Sequence, residues 1–86
     1  MAWTVVLSNR AERALARVPA RDRQRITLAL LDMEQEPLSG DVIPLKGPYH
    51  GSYRRRVGSW QIVFTLIWDS QVVGVADIAR RTSTTY

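Results

Sequence analysis

Cysteine is absent from the 86 residues, so neither a disulfide framework nor a thiolate metal site supports the fold. Histidine occurs once, at His50. No carboxylate pair, Cys/His set, metal constellation or phosphate-cradling glycine loop is legible, so the usual motifs of hydrolases, metalloenzymes and nucleotide-binding proteins are missing. Neither a metal nor a cofactor is expected. The apolar runs fall far short of the roughly 20 residues that cross a bilayer, and no basic leader with a cleavage site precedes the first strand-like segment. Glycine and proline are few and scattered, which argues against linkers and low-complexity tails. These absences predict one compact domain over residues 1–86, not associated with membranes, and the lack of cysteine favours the cytoplasm.

Positive charge is what the chain does have, and it is unevenly placed. Through Asp41, six arginines face six acids. From Val42 onward Lys46, Arg54, Arg55, Arg56, Arg80 and Arg81 face only Asp69 and Asp77, so the whole net charge of +4 lies in the second half. Eleven of the twelve cations are arginine, whose planar donor fork suits phosphate, although high-GC coding produces the same bias.

The apolar pattern orders the elements. Trp3 to Leu7 reads as a short strand, and Ser8 as the N-cap of a helix with an Ala11, Ala14, Leu15, Val18 stripe. Pro19 closes that helix. A second helix runs from about Ala20 to Glu36, with Ile26, Ala29, Leu30 and Met33 buried and Leu28 and Leu31 widening the stripe. After a loop, Val42 to Lys46 is an edge strand weakened by Pro44. Ser52 to Val57 and Trp60 to Trp68 form a hairpin about Gly58-Ser59, and Gln71 to Ile78 is the last strand. The order β-α-α-β-β-β-β defines an α+β fold: an N-terminal strand, a helical hairpin, then a curved antiparallel sheet.

The hairpin carries the functional signal. Side chains alternate across a strand, so Tyr53, Arg55 and Val57 share one face and Arg54 and Arg56 the other. With Tyr53 and Val57 directed to the core, Arg54 and Arg56 are expected together on the open face, roughly 7 Å apart. That pair fits adjacent phosphates, or simply a solvated surface. Arg55 must then snorkel past the sheet edge or lie where the helices leave it uncovered. Lys46, before a glycine turn, and Arg80-Arg81, after the last strand, extend the patch. His50 is either an incidental loop residue or an acid–base group. RNA cleavage is compatible with so sparse a set, because the substrate's own 2′-OH is the nucleophile and the protein need supply only positioning and charge.

The series Leu7-Ser8, Ala11, Leu15, Pro19 and Arg25-Ile26, then Pro44-Leu45-Lys46-Gly47, Tyr53-Arg54-Arg55-Arg56-Val57-Gly58, Trp60 to Phe64 and Ile78-Ala79-Arg80-Arg81, resembles the RelE/ParE superfamily of toxin–antitoxin toxins, RelE branch foremost. The resemblance implies a RelE-like fold and an endoribonuclease (mRNA interferase) that cuts mRNA in the ribosomal A site, arresting translation. The implied partners are the ribosome, mRNA, and a neutralising antitoxin that also binds operator DNA as a repressor. It implies catalytic roles for Arg54, Arg56, Arg80 and Tyr86, with Tyr86 as general base, and RNA contacts from Lys46, Arg55, Arg81 and His50. Gln61 stands where the family commonly has an arginine, and Arg55 replaces the usual aliphatic residue. The alternatives are a ParE-like poison that binds DNA gyrase without cutting RNA, and a degenerate toxin that keeps only its antitoxin.

Overall fold

A computed structural model describes residues 2–81 of the chain. Strand β1 (Thr4–Leu7) leads into α1 (Asn9–Arg17) and α2 (Ala20–Gln35), followed by β2 (Val42–Pro44), a 3-10 turn (Gly47–Tyr49), β3 (Ser52–Val57), β4 (Trp60–Ile67) and β5 (Val72–Arg80). This is the expected β-α-α-β-β-β-β fold, RelE-like in arrangement. The five strands lie in the order β1-β5-β4-β3-β2. The last four pair antiparallel, and β1 joins β5 in parallel. The sheet is therefore mixed, and β2 with its Pro44 sits at an edge, where a missing N–H costs no ladder bond.

Local chemistry explains the boundaries. Ser8 caps α1: its Oγ accepts from the Ala11 N–H at 3.0 Å and donates to the Ala76 carbonyl at 2.8 Å, tying the cap to β5. The backbone at Val18 and Pro19 is extended, as the residue before proline requires, and α2 restarts at once. Gly58 turns the hairpin with φ +59°, and Ser59 stays at negative φ, which is the requirement of a type II′ turn.

The core lies between the helices and one face of the sheet. Ala11, Val18, Ile26, Ala29, Leu30 and Met33 come down from the helices onto Ile62, Phe64, Val73, Val75 and Ile78. Tyr53 and Val57 pack against this cluster as expected, with the Tyr53 ring stacked on Phe64 at 5.6 Å. Leu28 and Leu31 do not widen the buried stripe: both are exposed on α2. The period of 3.6 residues places them past the edge of the sheet-facing stripe, where there is nothing to bury them. Strand β5 also runs two residues beyond the expected Ile78, so that Arg80 belongs to the strand.

Candidate nucleic-acid interface

Register decides which side chains meet on the face away from the helices. On β3, Arg54 is paired across the sheet with Ile43 and Val63, and Arg56 with Gln61. Directly opposed residues share a face, so Ile43, Arg54, Arg56, Gln61 and Val63 stand together. Leu45 and Val63 are buried, yet neither joins the main core cluster. They form a thin apolar layer on the second face, and the interior strand β3 sends its basic side chains through it.

That layer changes the expected picture of two open arginines. Arg54 is only 6% exposed, whereas the Arg56 side chain is 41% exposed. The face is therefore open at Arg56 and closed over Arg54, because Arg54 lies between two strands flanked by apolar neighbours. Asp41, in the bend before β2, reaches both: Oδ1 is 3.7 Å from Arg54 Nη1 and Oδ2 is 3.7 Å from Arg56 Nε. Its carbonyl accepts from the Arg56 N–H at 2.9 Å.

Two donors on this face find no hydrogen-bond partner among the described residues: Arg54 Nη1 and Gln61 Nε2, both buried. Leaving such a group unpaired costs about 1–3 kcal/mol, and native structures retain one where a ligand or an ordered water completes it. Both atoms donate and neither accepts, so what completes them is an acceptor: a phosphate, sugar or carboxylate oxygen. Gln61 is 4% exposed and closes the face beside Arg56. Its neutrality makes it a donor without charge, and register alone brings it to the arginines.

Arg55 points the other way, as alternation requires. Its Nη2 lies 3.4 Å from Asp32 Oδ2 on α2, and its guanidinium packs against Gly40, where a Cβ would meet it at 3.1 Å. Gly40 has φ +80°, so glycine both shapes this bend and leaves room for the arginine. Arg55 thus snorkels past the sheet edge and ties the second helix to it.

Arg80 is also separated from the Arg54–Arg56 pair. It is directly opposite Trp60, and its guanidinium carbon sits 5.2 Å from the Trp60 ring centroid on the helix side of the sheet. Trp60 in turn donates from Nε1 to Asp22 Oδ2 at 3.0 Å, while the Arg25 guanidinium reaches Gly58. The two added residues of β5 account for this: with Arg80 in the strand, alternation commits it to the Trp60 face. Arg81 folds back over the hairpin, its Nη1 donating to the Gly58 carbonyl at 3.1 Å and its N–H to Ser59 at 2.7 Å. Lys46 and His50 are exposed at the two ends of the 3-10 turn. Tyr86 lies outside the described residues. Asp41, Asp32 and Asp22 carry no signal in the sequence, since no spacing links them to residues 13 to 38 positions away.

A second feature lies between the helices, where Leu15, Ala20, Arg23, Gln24, Thr27 and Leu28 line an open groove of about 450 Å³. Among the described residues, no group of acidic, histidine or cysteine side chains is placed to hold a metal ion. No helix among them is long and apolar enough to cross a membrane.

No protein-family model and no curated protein matches the chain. Solved structures do. The chain is similar to the RelBE2 toxin–antitoxin complex of Mycobacterium tuberculosis, with a TM-score of 0.85 at 22% identity over 94% of this chain and all of that one. It is similar to the RelE–RelB complex of Pyrococcus horikoshii, with a TM-score of 0.85 at 24% identity, covering 98% of this chain and 100% of the other. The RelB–RelE antitoxin–toxin complex of Methanococcus jannaschii gives a TM-score of 0.73 at 26% identity, covering 88% and 89%.

Proposed function

The chain has the fold of the RelE/ParE superfamily of toxins, and from that premise we propose that it is the toxin of a toxin–antitoxin pair, an endoribonuclease that cleaves mRNA in the ribosomal A site. The observation that carries this reading is the sheet face around Arg56, where a solvent-open guanidinium adjoins two buried donors without a hydrogen-bond partner among the described residues, Arg54 Nη1 and Gln61 Nε2. A phosphodiester supplies the acceptor oxygens and the negative charge that such a set takes. The antitoxin is the second partner, neutralising the toxin and binding operator DNA. The ribosome places both the substrate and this protein in the cytoplasm.

In this reaction the substrate's 2′-oxygen bonds to the adjacent phosphorus, the bond from phosphorus to the 5′-oxygen breaks, and a 2′,3′-cyclic phosphate results. Arg56 and, behind it, Arg54 stabilise the added charge on the crowded phosphorane. Gln61 contributes a neutral hydrogen bond where a third cation would otherwise act. Tyr86, as the phenolate favoured by the surrounding positive charge, receives the 2′-OH proton, and the departing 5′-oxygen is protonated from solvent. Lys46, His50 and Arg81 hold RNA at the rim of the face. Arg55 and Arg80 are assigned to the scaffold, through Asp32 and Trp60 respectively.

The neutrality of Gln61 favours one competing reading, a ParE-like protein that inhibits DNA gyrase by binding. One experiment separates the two: controlled expression without antitoxin, with transcript ends mapped on and off ribosomes. Ribosome-dependent cuts within codons, reduced about 100-fold or more in Arg56→Ala, support the nuclease. Growth arrest with intact transcripts and DNA-damage signalling overturns it in favour of gyrase, and the absence of any growth defect identifies a degenerate toxin.

A further inference from the structure

Asp41 gives the two strand arginines an anion from within the chain. Its two carboxylate oxygens lie separately against Arg54 and Arg56, each at 3.7 Å. Neither contact reaches hydrogen-bond length, and the buried Arg54 Nη1 has no hydrogen-bond partner among the described residues. Two oxygens of one anion spread over two guanidiniums is also how the non-bridging oxygens of a phosphodiester engage an arginine pair. The resident carboxylate holds that position loosely.

The surroundings let it leave. The Asp41 side chain is 54% exposed. Its backbone is fixed independently of the side chain by the 2.9 Å bond from the Arg56 N–H to the Asp41 carbonyl, with Gly40 at φ +80° before it. A change of side-chain rotamer therefore carries the carboxylate into water while the pairing of β2 with β3 stays intact. From this geometry we infer that Asp41 is an internal counter-ion of the RNA-facing site, displaced when a phosphodiester binds. The inference rests on the RNA-facing reading above. Its consequence is selectivity by strength: a weakly held anion does not dislodge Asp41, whereas a phosphodiester held along an extended strand does.

The test is fluorescence anisotropy with a labelled single-stranded oligoribonucleotide carrying 2′-deoxy linkages, so that binding is read without cleavage. Wild type, Asp41→Asn, Asp32→Asn and Arg56→Ala are compared at two salt concentrations. Asp41→Asn is expected to bind about three- to tenfold more tightly at low salt, and the gain to shrink as salt rises. The slope of log K against log salt steepens by up to about 0.7, one further phosphate neutralised on a single strand. Asp32→Asn, the same change of charge on the other face, stays within about twofold of wild type. Equal or weaker binding by Asp41→Asn overturns the inference, as does an equal gain in Asp32→Asn. If Arg56→Ala binds as wild type does, the RNA-facing reading falls and the inference with it. If Arg56→Ala weakens binding while Asp41→Asn changes nothing, only the counter-ion role falls. Should Asp41→Asn fail to fold, wild type answers alone: RNA must shift the Asp41 carboxyl-carbon resonance, and an unmoved resonance overturns the proposal.

Discussion

Replacing Arg55 with alanine separates the three consecutive arginines by role. Its side chain is 12% exposed while its partner Asp32 is 69% exposed, so the ion pair is screened and contributes only a few tenths of a kcal/mol. The buried stem matters more, at about 0.8 kcal/mol for each methylene lost, or about 2 kcal/mol. Against this, the change removes Arg55 Nη1, itself a buried donor without a hydrogen-bond partner among the described residues, and recovers about 1 kcal/mol. The net cost is about 1–2 kcal/mol, which in a domain of this size lowers the thermal midpoint by about 5–15 °C. Arg56→Ala, at a half-open position, moves the midpoint by no more than about 3 °C and instead weakens RNA binding, flattening its salt slope by about 0.7. Thermal unfolding by circular dichroism and RNA anisotropy on the same samples read both effects. An Arg55→Ala protein that melts like wild type but no longer binds RNA would refute the register argument, since it would place Arg55 beside Arg56.

Three further changes probe the scaffold that holds this face. Phe64→Ala empties a fully buried site on β4 and strips the Tyr53 ring of its stacking partner, so denaturant titration should show a loss of about 3–5 kcal/mol with an unchanged m-value. Ser8→Ala removes both the cap of α1 and its bond to Ala76, a loss of about 1–2 kcal/mol in the same titration that Ser8→Thr largely restores. Trp60→Phe deletes the indole N–H that binds Asp22 at 3.0 Å, and native-state hydrogen exchange at the hairpin should speed by about 10-fold, equivalent to about 1.4 kcal/mol. Protection unchanged from wild type would show that the Asp22 contact does not brace the hairpin.

Short-range rules carried most of the fold. The Ser8 cap, the Pro19 break, the Gly58-Ser59 turn and the alternation of Tyr53 and Val57 toward the core all follow from local geometry, and the structure agrees with each. What the sequence hid were partnerships between distant residues. Counted along the chain, the first half is neutral and the second half carries the excess. Folding pairs them: Asp41 with Arg54 and Arg56, Asp32 with Arg55, and Asp22 with Trp60. Arg80 illustrates a different limit. A strand end displaced by two residues changes which side chains finish on which face, and strand ends are where periodicity says least, because fraying polar residues carry no alternation.

The parallel pairing of β1 with β5 bears on how the protein is made. Thr4 lies beside Val72, so the first strand waits for nearly all of the described chain before its hydrogen-bonding partner exists. Val5 and Leu7, which pack onto the core beside Val73 and Val75, remain solvated until then. Contacts of such wide sequence separation slow folding, and on the ribosome they defer closure of the sheet until β5 has cleared the exit tunnel. A nascent chain that lacks β5 therefore leaves both β1 and β4 short of a strand partner, and any activity that depends on the closed sheet waits for that last pairing.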